Sequence, residues 1–114
     1  MKTDLNYLKD MSGEDPALMA EMIDIFKDQV VELHEEMQKL YNEGDYPSLG
    51  KVAHKAKTSV AIMGMEELAA ELKKLELQTK ESKNVNNYQE FIDSFEQETK
   101  EAIRELTEFR NKLD

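Results

Sequence analysis

A chain of 114 residues, 39% hydrophobic and 35% charged, is long enough to bury one core without disulfides or metals and reads as a single domain, residues 1–114. Its formal net charge of −10 disfavours nucleic acid and anionic membrane as partners, because neither attracts a negative surface. The lack of cysteine excludes disulfides and thiolate metal sites and points to a reducing compartment, the cytoplasm.

No uncharged run exceeds Thr58 to Met65, far short of the ~20 residues of a membrane span, and the opening Met1-Lys2-Thr3-Asp4 lacks the apolar run of a signal peptide. With two prolines, four glycines and no Asn-Gly or Asp-Gly pair, the spacing of apolar residues predicts an all-α fold. A brief helical segment, Asp4 to Asp10, with Leu5 and Leu8 on one side, is expected to lie across the end of a bundle.

From Asp15 to about Asn42, the residues Met19, Ile23, Phe26, Val30, Leu33, Met37 and Leu40 recur at alternating steps of four and three, the seam of a long helix packed at a shallow angle. Asp15-Pro16 and Asp45-Tyr46-Pro47 read as helix starts, with the aspartate capping and proline in the first turn. Gly44 and Gly64 read as helix ends. A third helix is therefore expected from Tyr46 to Met63 and a fourth from Met65 to Glu81, burying Leu68, Leu72 and Leu75. After a polar connection, Ser82 to Asn87, a last long helix carries Tyr88, Ile92, Phe95, Thr99, Ala102, Leu106, Phe109 and Leu113. Short links between these segments predict an antiparallel four-helix bundle with a short extra N-terminal helix.

The Tyr46 to Met63 segment differs from its surroundings. Between Tyr46 and Met65 stand Lys51, Lys55 and Lys57 and no acid, so this stretch is +3 while the rest sums to −13. Its apolar face is Leu49, Val52, Ala53, Ala56, Val60 and Met63. At ~100° per residue, His54 lies about 140° from the centre of that face and points outward. Gly50, Thr58 and Ala61, one turn before, one turn after and two turns after, are small, so the imidazole stands in a clearing with Lys57 beside it. Glycine costs a helix roughly 0.5 to 1 kcal/mol relative to alanine. Access by another protein would explain that cost at Gly50, where simple packing would not.

An exposed imidazole, with a reference pKa of about 6.5, is mostly neutral near pH 7 and can act as a nucleophile. Phosphoryl transfer asks little else of a carrier than positioning and a nearby cation, which Lys57 can supply. No acid is expected beside His54 to form a triad, and no second histidine stands at ligand spacing, which disfavours acyl transfer and metal binding. His34, beside the first long seam with Glu32, Glu35 and Glu36 around it, reads as structural or incidental.

The run Ala53-His54-Lys55-Ala56-Lys57-Thr58-Ser59-Val60-Ala61-Ile62-Met63-Gly64, followed by Leu68, Leu72 and Leu75-Glu76, resembles the signature of histidine-containing phosphotransfer domains. There a histidine, a lysine three residues on and a glycine ten residues on precede a leucine-rich helix. The resemblance covers essentially the whole chain and implies His54 as phosphoacceptor and Lys57 as partner of the phosphoryl group. The family usually has glycine directly after that lysine; here it is Thr58, which narrows access to the imidazole or donates a hydroxyl to the phosphate.

The resemblance further implies a carrier in a His-Asp relay rather than an enzyme in its own right. Its partners would be a response-regulator receiver domain or a hybrid histidine kinase, and it would need no cofactor, the Mg²⁺ belonging to the receiver. Lys51 and Lys55 would steer an acidic partner, and Ile62 near Thr58 would be a hydrophobic docking contact. The chain is expected to act as a monomer. A bundle that binds receivers without transferring phosphate is the alternative.

Overall fold

The computed structural model describes residues 3–113, which form five helices with no strand among them. These are α1 (Asn6–Ser12), α2 (Pro16–Glu43), α3 (Tyr46–Ile62), α4 (Glu66–Glu81) and α5 (Tyr88–Asn111), with a single 3₁₀ turn, Val85–Asn87, before the last. None is long and apolar enough to cross a membrane.

The starts of α2 and α3 follow the local chemistry. Asp15 accepts from the Ala17 amide at 3.0 Å with Pro16 at the first helical position, and Asp45 accepts from the Ser48 amide at 3.2 Å with Pro47 in the first turn. Gly44 closes α2 in the left-handed conformation at φ 73°. Gly64 plays a related part at φ 75°, one residue beyond the C-cap Met63 of α3.

The expected short N-terminal helix is present but runs later than the sequence suggests, from Asn6 to Ser12. The Asp4 carboxylate accepts from the Asn6 amide at 3.0 Å, and Gly13, at φ 62°, provides a stop beyond Asp10. Leu8 is fully buried and Leu5 partly so. The Asp4 amide donates to the Met63 carbonyl at 3.0 Å, and the Thr3 hydroxyl donates to Glu105 at 3.0 Å. The segment is thereby fixed on the α3–α4 turn, where Gly64 faces the Asp4 backbone so closely that no Cβ would fit.

The seams meet as their periodicity requires. Met19, Ile23, Phe26, Val30, Leu33 and Met37 of α2 are buried together with Ile92, Phe95, Ala102 and Leu106 of α5, Leu49, Val52, Ala53, Ala56 and Val60 of α3, and Leu68, Leu72 and Leu75 of α4. At about 1.5–3 kcal/mol for each fully buried large aliphatic side chain, this burial is the main stabilising term. At the opposite end from α1, Tyr41, Tyr46 and Tyr88 form a ring cluster with centroids 5.4 to 6.4 Å apart. Burial pushes the Tyr88 phenol up from its ordinary pKa, and its hydroxyl donates to the Gln78 carbonyl at 2.9 Å.

Helix α4 packs closely against α3 at Gly50. A Cβ there would run into the Thr79 hydroxyl and sit 3.3 Å from Thr79 Cβ. Gly50 is itself buried, so packing does explain the glycine, contrary to the access role that the sequence suggests. Gly50→Ala is expected to lower stability by about 1 kcal/mol, because overpacking of 1–3 kcal/mol outweighs the gain in helix propensity. Urea unfolding of Gly50→Ala, Thr79→Ala and the double variant measures this. A coupling that shows Thr79→Ala relieving the strain is the expected result; additive losses would place the cost elsewhere.

Candidate functional site

The close contact at Gly50 has a consequence one turn away on each helix. His54 follows Gly50 by four residues and Glu76 precedes Thr79 by three, so the two side chains face each other across the groove. His54 Nδ1 lies 3.2 Å from Glu76 Oε1 and 3.1 Å from Oε2. The imidazole is open to solvent, with 57% of its side chain exposed, whereas Glu76 is only 15% exposed. The outward orientation expected for His54 is therefore found. The expectation that no acid stands beside it is not, because the acid comes from a different helix, 22 residues on.

Lys57 shares that carboxylate, its Nζ 3.3 Å from Oε1, and Lys80 lies 3.9 Å from Oε2. Burial pushes the Glu76 carboxyl up, but the hydrogen bonds from His54 and Lys57 and their charge more than offset it, leaving the group below its ordinary value of 4.5. Glu76 is then ionised at neutral pH and can only accept. The proton of a neutral His54 must therefore sit on Nδ1, and the lone pair on Nε2 is left toward solvent.

The remaining residues singled out by the sequence fall on three sides of this core. A cavity of about 610 Å³ between α3 and α4 is lined by Gly50, Lys51, His54, Lys55, Glu76 and Lys80. Ala61 and Ile62 lie at the other end of the groove with Lys57 and Thr58; Ala61 is exposed and Ile62 half-buried. On the α2 side, His54, Lys55 and Thr58 border Glu32 and Glu36. The Thr58 hydroxyl donates to the His54 carbonyl at 3.3 Å, so it is occupied by its own helix.

His34 lies away from this groove. Its Nε2 is 3.1 Å from Glu96, which also pairs with Lys100 at 3.4 Å. Both ring-bearing sites thus hold a carboxylate; His54 stands among Lys51, Lys55, Lys57 and Lys80 with Glu32 and Glu36 on its α2 side, His34 among Glu35, Glu96 and Lys100. Among the described residues there is no group of three or more histidine, aspartate or glutamate side chains suited to a metal ion.

Sequence reasoning missed Glu76 and the two α4 lysines that border the groove, Lys73 and Lys80. A usable signal exists: Glu76 follows the core residue Leu75 and precedes buried Thr79 by one turn, so it sits at the edge of the buried face of α4.

A model of the Hpt domain matches residues 21–111. Searches of curated proteins and of solved structures return no match. Helices α3, α4 and α5 fall wholly inside the matched residues, as does most of α2, and His54 and Glu76 lie within them. The chain belongs to the family of Hpt domains, the histidine-containing phosphotransfer domains.

Proposed function

We propose that this chain is a phosphocarrier in a multistep His-Asp relay, taking a phosphoryl group on Nε2 of His54 from a receiver-domain aspartate and passing it to a second receiver. The observation that carries this reading is the Glu76 carboxylate 3.1 Å from Nδ1 of a solvent-facing histidine. The Nε2 lone pair attacks phosphorus in line, the N–P bond forms, and the P–O bond to the aspartyl carboxylate breaks. The imidazole keeps its Nδ1 proton and becomes cationic, and Glu76 balances that charge. No proton has to leave during the step.

Lys57 is held ready by Glu76 and can turn to the phosphoryl oxygens as charge builds on them. Lys57→Ala is expected to slow transfer about 10-fold with the fold intact, the modest size reflecting a partly solvated cation. Rapid-quench transfer kinetics measure it, and unchanged rates would remove Lys57 from the step.

The donor supplies the acidic site and its Mg²⁺, and this chain acts as a cytoplasmic monomer that lacks an activity of its own. The order of contacts between α2 and α5, Asp24 with Arg110, His34 with Glu96 and Gln38 with Gln89, supports an antiparallel bundle. Incubation with a phosphorylated receiver tests the function: an acid-labile, base-stable label on the chain is expected. Binding without label would favour the non-transferring alternative.

A further inference from the structure

The buried seam of α4 runs Leu68, Leu72, Leu75 and then Thr79, so a hydroxyl stands where the pattern asks for another aliphatic group. Thr79 is only 1% exposed, and a polar group buried to that degree is kept only with a partner. Its hydroxyl donates to the Glu76 carbonyl at 2.7 Å, a bond back along its own helix that satisfies the proton and fixes the side chain. β-Branching leaves χ1 little other freedom. Thr79 is therefore a rigid block, and the α3 residue set against it is Gly50, which has no side chain.

The turn of α4 that bears Thr79 is held from beyond as well. The Tyr88 hydroxyl of α5 donates to the Gln78 carbonyl at 2.9 Å, and the Lys83 amide donates to the same carbonyl at 3.0 Å. The Ser82 amide donates to the Thr79 carbonyl at 3.3 Å. Neither the hydroxyl nor the turn is free to swing aside, so the contact at Gly50 fixes how far α4 stands from α3 there.

His54 lies four residues from Gly50 and Glu76 three from Thr79, so this separation is carried about one turn, ~5.4 Å, along two stiff helices to the reacting pair. The tolerance at that pair is small. Nδ1 is 3.1 Å from Glu76 Oε2, and a contact stretched to about 3.6 Å is no longer a hydrogen bond. A methyl group added at Gly50 overlaps the Thr79 hydroxyl, and restoring ordinary contact takes about 1 Å of separation. The pair at His54 opens before that clash is relieved.

We propose that Thr79 is a positioning residue for transfer from His54: packed on Gly50, its bonded hydroxyl sets the α3–α4 separation that keeps the Glu76 carboxylate at Nδ1 and the lone pair on Nε2. Its consequence for the reaction rests on the relay reading, whereas its consequence for the imidazole does not. Thr79 acts through Glu76, whose carbonyl it holds and whose carboxylate meets the ring.

Two quantities test this in full-length variants, with circular dichroism and thermal unfolding in parallel. Nitrogen chemical shifts of the His54 ring report its tautomer without any partner, and transfer from a phosphorylated receiver is timed at saturating and subsaturating concentrations. Gly50→Ala is expected to turn the single Nδ1–H tautomer into a mixture. It should also slow saturated transfer about 10-fold with the half-saturating concentration within about twofold, since a 1 Å misplacement can cost about 100-fold and the Glu76 side chain recovers part of it. Adding Thr79→Ala, which removes the overlapping hydroxyl, is expected to restore both. Thr79→Ser, which keeps the hydroxyl, should stay near the wild type. Thr79→Val puts a methyl where only a hydrogen-bonded oxygen fits at 2.7 Å, and should repeat the Gly50→Ala changes in weaker form. Leu77→Ala, on the exposed face of α4, should change neither quantity. A wild-type tautomer in folded Gly50→Ala overturns the proposal, as does slow transfer that Thr79→Ala fails to relieve. If Gly50→Ala does not fold, Thr79→Val decides, and a wild-type tautomer and rate there overturn the proposal. Failure of the relay reading shows separately, as a tautomer that follows these substitutions in a chain that takes up no label.

Discussion

His54→Gln is expected to abolish phosphoryl transfer completely while leaving the helices intact. Glutamine preserves polarity and part of the shape but offers no nitrogen lone pair of comparable nucleophilicity, so no N–P bond can form. The imidazole is exposed and contributes little to the core, so unfolding temperature should stay close to that of the wild type. The measurement is transfer from a labelled receiver, followed by acid and base treatment of the product. A label that survives in His54→Gln would locate the acceptor elsewhere, with His34 the next histidine to test. Its Nε2 is already engaged by Glu96 at 3.1 Å with Glu35 close by, and no label is expected there.

Glu76→Gln should produce the second largest change, a fall in the transfer rate of about 10- to 100-fold, the scale of losing a carboxylate that orients a metal-bound imidazole through its other nitrogen. A neutral amide no longer dictates which ring nitrogen carries the proton, and it does not balance the cationic phosphoimidazole. The receiver's KM should move little, because Glu76 lies beneath the histidine and not on the outer rim. A rate within twofold of the wild type would exclude the carboxylate from the step. The same variant gives a pH test. A carboxyl held below its ordinary 4.5 in the folded chain adds stability that is present above that value and lost as pH falls through the lower folded value. The stability gap between wild type and Glu76→Gln should accordingly be open at neutral pH and close under acid.

The helical seams were readable because burial follows a period that the chain carries in itself. Met19 to Met37 and Tyr88 to Leu106 are buried where the pattern puts them. The exposure of His54 follows from the same arithmetic, since an angle on one helix needs no knowledge of the others. Helix ends were read to within two residues; α1 is displaced by two at both ends, because a seven-residue element has too few turns to show its phase. Gly50 shows where the reading changes sense. In the sequence it looks like room for a visitor, and in the fold it is the place where the Thr79 side chain of α4 packs onto the α3 backbone.

By itself, then, the sequence determined an all-helical fold, a histidine turned outward in a basic stretch, and a lysine one turn beyond it. The tertiary structure alone decided that Glu76 meets Nδ1, that Lys73 and Lys80 extend the basic rim, and that Tyr7 closes the apolar end of the groove. The physical reason is that periodicity encodes which face of a helix is buried, but not which residues of two faces come opposite each other. That register depends on how closely the backbones can approach, and here the approach is made at Gly50 and Thr79.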